Sequence, residues 1–414
     1  MAKILIHSLI FSPDGVSTAY LYSDIARRLH DEGHEVVVLS TTPHYNIVDE
    51  ELAKQPMRWK IPGICKQSNY HGIKVYHIPQ KKFKSTLLRL FGFAYWHVIA
   101  FIIGLSIRKV DLILSPSPPL TIGVINNWLK KLKGCRTVYN VQEIYPDILP
   151  KKEGTVVNML KKMERYVYNK SNAVTTIDQV FYDTIAGRFK DPSKLHIIPN
   201  FVDTELYNPG NCDTSVLDRT MFPQTDAIKV MYAGNIGFAQ DLETLVDLAK
   251  RTREDNIEYF VIGEGVMKPW LEEQKKAEGL DKIHILPYQK RELMPVLLAY
   301  SDVQFIFMSP RMEGQGFPSK VYTIMACARP LMVCSGKGTP IVNFLEGKGC
   351  ALLDTEKEQA AKVEKLYEWL KSQTKQTLRE TGARGLDVIE KEYSKEIVTG
   401  QYLELVENLC KKGK

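Results

Sequence analysis

Short apolar runs that end in glycine recur in the second half of this 414-residue chain, and they point it toward a parallel α/β sheet. Val230-Met-Tyr-Ala233 runs into Gly234-Asn-Ile-Gly237, and Phe260-Val-Ile262 into Gly263-Glu-Gly265. The stretch from Pro318 to Met332 reads as a turn, one short helix, a Pro-marked loop and a return to strand. Three turns of this kind in this order describe one rim of a parallel sheet, where backbone amides and helix starts meet a phosphorylated ligand.

The first half carries the same alternation. Ile4–Ile10 is expected as a strand, Thr18–Asp31 as a helix closed by Gly33, and Glu35–Ser40 as a second buried strand. Ile73–Ile78, Leu112–Leu114, Arg136–Val141 and Ala173–Ile177 continue the series. Residues 200–225, rich in Asn, Asp, Pro and Gly, break the rhythm and read as a connection. Strands then return at Val230–Ala233, Tyr259–Ile262, His284–Leu286, Val303–Met308 and Leu331–Val333, and Tyr393–Cys410 reads as a closing helix. The expected class is α/β, with two doubly wound parallel-sheet domains. They would span 1–200, joined by a helix at about 393–414, and 201–392.

Composition sets the outer limits. An apolar fraction of 44% and a charged fraction of 25% suit a globular chain rather than a disordered one. The net charge of +7 is concentrated at Lys81, Lys82, Lys84 and Arg89, at Arg108 and Lys109, and at Lys130, Lys131 and Lys133. That balance suits anionic lipid or phosphorylated substrates, and with no nucleic-acid module signature no nucleic-acid partner is expected. Seven scattered cysteines without a C-x-x-C pair fit reduced thiols in the cytoplasm. The apolar run after Lys3 is interrupted by His7 and Ser8 and reads as a strand rather than a signal peptide.

Chemistry is expected at the strand ends. Gly234, Asn235 and Gly237, with the helix after Asp241, can admit a diphosphate to the main chain, or can simply form a strand-to-helix turn. Gly263 and Gly265 precede Lys268, a possible phosphate-neutralising point charge that could equally be solvated. Pro318 and Ser319 open a helix with Lys320 at its mouth, behind the loop Glu313-Gly-Gln-Gly316. Free amides plus one lysine make a pyrophosphate or ribose cradle there, with plain capping by Ser319 as the other reading. In the first half, the amides of Gly15 and Val16 follow strand one. Glu143 and Asp147 sit just past a buried strand, where one could orient or deprotonate a hydroxyl or both could be solvated loop acids. No D-x-D pair follows a strand and no histidine cluster has ligand spacing, so no metal and no cofactor are expected.

Residues 91–107 are almost wholly apolar between basic flanks. A membrane-crossing helix needs about 20 apolar residues, so the stretch is short for one. It can be a buried helix on the first sheet. It can instead be an interfacial helix with Trp96 and Tyr95 at headgroup level and Lys81, Lys82, Lys84 and Arg89 on anionic lipid.

Taken in order, these motifs resemble the family 4 glycosyltransferases of GT-B type, closest to the WbuB-like branch that builds O-antigen and capsule. The resemblance rests on Asp31-Glu-Gly-His-Glu-Val36, Gly72-Ile-Lys-Val75, Asp111-Leu-Ile-Leu-Ser-Pro-Ser-Pro-Pro119 and Gln142-Glu-Ile-Tyr-Pro-Asp147. Ile198-Pro-Asn-Phe-Val-Asp203, Tyr232-Ala-Gly-Asn-Ile-Gly237 and Pro318-Ser-Lys-Val-Tyr-Thr-Ile-Met-Ala326 extend it over essentially the whole chain. It implies two Rossmann-like domains facing across a cleft, with the last helix crossing back to the first domain. It also implies retaining, metal-independent transfer of a hexosyl or N-acetylhexosaminyl unit from a nucleotide sugar, commonly UDP-linked. The implied acceptor is a polyprenyl-diphosphate-linked glycan at the inner face of the cytoplasmic membrane, with the protein held there peripherally.

Carried over to this chain, Gly15 and the loop after it face donor or acceptor phosphates. Gly234, Gly237, Lys268, Ser319 and Lys320 line the donor diphosphate and ribose, Tyr288 stands near the base, and Glu143 takes the acceptor side. The family's E-x7-E pattern falls near Gln315 and Thr323, neither of them acidic, and Thr323 stands where relatives keep a ribose-binding acid. Two other readings are a UDP-sugar 2-epimerase, which has no use for an apolar 91–107, and a catalytically silent glycan-binding partner.

Overall fold

A computed structural model of the chain describes residues 1–80, 85–149, 153–211, 213–311 and 317–411. Lys81, Lys82 and Lys84, the loop at 313–316 and Gln315 lie outside the described residues. The chain divides into two compact units, Met1–Asn200 with Glu396–Lys414, and Phe201–Lys395.

The first unit is built on a nine-stranded sheet. In chain order its strands are β1 Lys3–His7, β2 Glu35–Thr41, β3 Arg58–Ile61, β4 Cys65–Tyr70, β5 Ile73–Ile78, β6 Leu112–Pro116, β7 Arg136–Val141, β8 Ala173–Thr176 and β9 Leu195–Ile197. They lie in the order β3-β4-β5-β2-β1-β6-β7-β8-β9, parallel except where β4 pairs antiparallel with β3 and β5. The β4–β5 turn, absent from the sequence reading, is His71-Gly72, with φ of 47° and 88°. Positive φ at both positions of a two-residue loop gives the twist that a tight hairpin needs.

Near-continuous apolar strands mark a sheet covered on both faces. Ile4, Leu5, Ile6, Val38, Leu39, Ile113 and Leu114 are all fully buried. Each such side chain contributes roughly 1.5 to 3 kcal/mol on leaving water. The sequence order departs from the spatial order at β1, flanked by β2 and β6. Ligands of open α/β sheets sit in the crevice outside the carboxyl ends of strands at such a switch.

The second unit carries a six-stranded, wholly parallel sheet of β10 Ile228–Ala233, β11 Ile257–Ile262, β12 Ile283–Leu286, β13 Val303–Phe307, β14 Leu331–Cys334 and β15 Ala351–Asp354. Its order is β12-β11-β10-β13-β14-β15, so the switch falls between β10 and β13. The glycine turn after β10 and the helix Lys320–Ala326 after β13 therefore flank one crevice within this unit. The final helix, Lys395–Lys411, belongs mostly to the first unit, where Glu396 pairs with Arg28 at 2.6 Å.

Candidate functional site

In the second unit the two glycine turns are packed against each other. A Cβ on Gly263 would lie 1.9 Å from the Gly234 carbonyl oxygen, and one on Gly265 would lie 2.1 Å from that of Ile236. Gly234, Gly263 and Gly265 also hold φ of 151°, 146° and 159°, a region closed to other residues. Cross-bonds lock the pair: Gly234 N–H donates to Ile262, Ile236 N–H to Glu264 and Met267 N–H to Ile236, each at 2.9 to 3.0 Å. The amides of Asn235, Gly237, Glu264, Gly265 and Val266 donate to no acceptor among the described residues. A rim of unused N–H groups in succession is an anion-binding concavity.

Lys320 closes this rim. Its Nζ donates to the Ala233 carbonyl at 3.0 Å and stands 3.9 Å from the centre of the Tyr232 ring. Tyr232 is itself fixed, donating to the Asn235 carbonyl at 2.8 Å. Burial without a carboxylate beside it among the described residues pushes the lysine down to about 7. A cation kept in a site that disfavours it is the mark of a group arranged for an anionic ligand.

The other expected donor contacts divide. Lys268 opens its helix and pairs with Glu264 at 2.7 Å, which places it on the same rim. Tyr288, past β12, is exposed, as are Phe238 past β10 and Val266 past β11. Phe238 carries no sequence signal, because an aromatic five residues beyond a strand end has no pattern of its own. Pro318 is partly buried and Ser319 is exposed. Ser319 occupies the N-cap position without a capping bond from its hydroxyl, because its backbone is already helical, at φ −57° and ψ −21°. The Thr323 hydroxyl donates to the Lys320 carbonyl at 2.9 Å, a bond within its own helix. At the helix after Asp241 one first-turn amide, that of Thr244, is already taken. The Asp241 carboxylate caps it at Thr244 and pairs with Lys362 at 3.0 Å.

In the first unit the Gly15 amide is already used, donating to the Tyr45 and Asn46 carbonyls at 3.0 Å. Gly15 is glycine because a Cβ would meet the Asn46 carbonyl at 2.3 Å. Val16 is the extended residue just before the first helix, Ser17–Asp31. The neighbouring Asp14, which sequence reasoning missed, is buried and accepts from the His44 and Tyr45 amides at 2.7 and 2.6 Å.

Glu143 lies half-buried past β7, and burial raises its carboxyl above the usual range. Ser117 fastens its turn, accepting from the Gln142 amide at 2.9 Å. Asp147 does not share that setting. It is paired with Arg188, which also reaches the buried Glu164 at 2.6 Å. Burial pushes Glu164 up to about 7 even beside that guanidinium. Asp147 thus sits in a structural ion-pair network rather than free to act on a hydroxyl. Replacing Arg188 with alanine strands the Glu164 charge and is expected to cost about 3 kcal/mol, read as a lower unfolding midpoint.

Trp96 is a correction. It is fully buried, stacked on His7 at 5.4 Å between ring centres, and does not reach a surface. It shares the inward side of the helix Thr86–Ser106 with Ala100 and Ile103, packed on Leu5, Val37 and Leu39. Arg89, on the same helix, is exposed.

Comparison with known proteins matches this architecture. Residues 19–206 fit the family described as Glycosyltransferase Family 4, and residues 218–385 that described as Glycosyl transferases group 1. WcaI of Escherichia coli K12, named for glycosyl transfer in colanic acid biosynthesis, is 24% identical over 334 residues, covering 78% of this chain and 81% of WcaI. WbjE of Pseudomonas aeruginosa, named as a glycosyltransferase, is 23% identical over 254 residues, covering 58% and 62%. The crystal structure of Anabaena HepE in complex with UDP superposes with a TM-score of 0.72 at 14% identity, over 99% of this chain and 100% of HepE. WaaG, a glycosyltransferase involved in lipopolysaccharide biosynthesis, superposes at 0.63 and 12% identity, over 97% and 99%. At such identities the superpositions speak to fold, while the two family matches together take in most of the chain. The chain belongs to the family 4 glycosyltransferases and carries their GT-B fold.

Proposed function

We propose that this glycosyltransferase moves a hexosyl or N-acetylhexosaminyl unit from a UDP-sugar to a polyprenyl-diphosphate-linked glycan at the inner face of the cytoplasmic membrane. The observation that carries the reading is the rim of free amides on the two interlocked glycine turns, closed by Lys320. The UDP complex of HepE supports the choice of donor, and the names of WcaI and WaaG support a place in surface polysaccharide assembly.

The bond between the anomeric carbon and the β-phosphate oxygen breaks, and the acceptor hydroxyl oxygen bonds to that carbon on the same face. UDP leaves with the electron pair, and the hydroxyl proton goes to solvent or to the departing diphosphate. Negative charge then builds on the diphosphate. Lys320, Lys268 and the amides of Asn235, Gly237 and Gly265 neutralise it, with Tyr288, Pro318 and Ser319 beside the nucleoside. Fixed donors aimed at developing charge are worth about a hundredfold or more each. Glu143 orients the acceptor hydroxyl. No step in this scheme draws on a metal.

The test is release of UDP from candidate UDP-sugars with a polyprenyl-diphosphate glycan acceptor, with and without EDTA, and the anomeric configuration of the product read by NMR. The expected result is acceptor-dependent UDP release, unchanged by chelator, with retention. Release that stops with EDTA or inverts the anomer would overturn the mechanism, and absence of transfer to every acceptor would overturn the reaction.

A further inference from the structure

The helix Thr86–Ser106 has two apolar faces, and only one is covered. Trp96, Ala100 and Ile103 point into the first unit and are buried. On the other side Leu87, Phe91, Tyr95, Val98, Ile102 and Leu105, spaced three and four residues apart, form an exposed stripe along its whole length. Two rows set so far apart in angle cannot share one core, and a large exposed apolar patch marks a contact surface.

The stripe continues onto the neighbouring helix Leu120–Lys133, where Trp128 and Leu132 are exposed. The helices are fastened by an edge-to-face contact of Phe101 with Trp128 and by Lys133, whose Nζ donates to the Leu105 and Ile107 carbonyls at 2.9 and 2.6 Å. Neither helix contains an acidic residue, while Arg89, Lys130 and Lys131 lie on these helices and Arg108 and Lys109 follow the first of them in the chain.

We infer that this two-helix face docks flat on an anionic lipid bilayer, with the stripe at the acyl boundary and the basic side chains among the headgroups. A helix of 21 residues reaches about 30 Å, long enough to cross a bilayer. The Trp96 side, however, is fastened to the protein core, so lipid cannot surround the helix while the sheet stays covered. Self-association through the same face would bring these cations together with no acid on either helix to offset them. A negative membrane surface supplies the complementary charge. The face gives the proposed lipid-linked acceptor a setting, but its evidence is independent of that reading.

Flotation of the full chain with vesicles tests this. Binding is expected to phosphatidylcholine mixed with phosphatidylglycerol, to be weak with phosphatidylcholine alone, and to weaken as salt is raised. The double substitution Val98→Asp and Ile102→Asp should reduce partitioning at least about tenfold, and Lys131→Glu about fivefold. Both should keep the unfolding midpoint, UDP binding, and transfer to a short-chain soluble acceptor. Release of the bound protein by alkaline carbonate supports interfacial docking, whereas resistance to it indicates a spanning helix and overturns the inference. Equal binding to neutral and anionic vesicles, or a dimer dissolved by the double substitution without any vesicle binding, also overturns it. Failure of sugar transfer with vesicle binding intact would count against the reaction alone.

Discussion

Lys320→Met is expected to lower kcat/KM for the nucleotide sugar by about a thousandfold and, at neutral pH, to raise the unfolding midpoint. Both effects come from the same environment. Among the described residues the ammonium has one carbonyl, that of Ala233, and one ring face, that of Tyr232, and burial holds it near 7 rather than at its ordinary value of 10.5. Between those two values the unfolded chain binds the proton that the folded chain gives up. The contribution of this residue to stability therefore rises with pH through that window. Below about 7 the whole cost of the buried charge is present, so the methionine variant gains most there, on the order of 2 kcal/mol, and gains nothing above the upper limit.

Substrate reverses that balance, because a diphosphate gives the ammonium an anionic partner, which it lacks among the described residues. The wild-type kcat/KM should fall as pH rises through about 7, reporting an ionisation of the free enzyme, and this limb should vanish in Lys320→Met. Thermal unfolding at two pH values and a pH profile of kcat/KM settle both points. A variant that loses stability while keeping its donor affinity would show that Lys320 merely packs.

The glycine turns were legible because a parallel strand buried on both faces is written as a continuous apolar run, and its end is marked by the residue that follows. Ile73–Ile78 and Arg136–Val141 match their strands to the residue for that reason. What escaped was pairing across the chain. Asp147 and Glu143 look alike in sequence four residues apart, yet Arg188 ties the first into a network and leaves the second half-buried. The same holds for Gly15, whose amide is used by a loop thirty residues on. Asp14 was invisible because its partners are backbone amides, which no sequence pattern records.

Residues 91–107 failed for a different cause. Periodicity separates faces only when one is polar, and here both the covered and the uncovered side are apolar, so Trp96 and Tyr95 could not be told apart. The donor rim was half legible. Two glycine motifs were plain, but not that each exists for the backbone of the other.

That mutual fit makes Gly263→Ala a severely damaging addition of a single methyl group. The new Cβ would stand 1.9 Å from the Gly234 carbonyl oxygen, a backbone atom that no rotamer change can move. The backbone at position 263 would also be left at φ 146°, where an L side chain is strained. Relief requires parting the turns, which breaks the Gly234-to-Ile262 and Ile236-to-Glu264 bonds that continue the β10–β11 ladder. The expected cost is about 4 kcal/mol, at the top of the range for point substitutions, together with loss of detectable UDP binding. Gly279→Ala is the control. Gly279 has a positive φ of 60° as well, but nothing lies within 4 Å of its Cβ position, so only the backbone cost of about 1 kcal/mol remains and UDP binding persists. Equal destabilisation by the two substitutions in denaturant titrations would place the effect in φ alone. Unequal destabilisation with UDP binding retained in Gly263→Ala would remove the interlocked turns from the donor site.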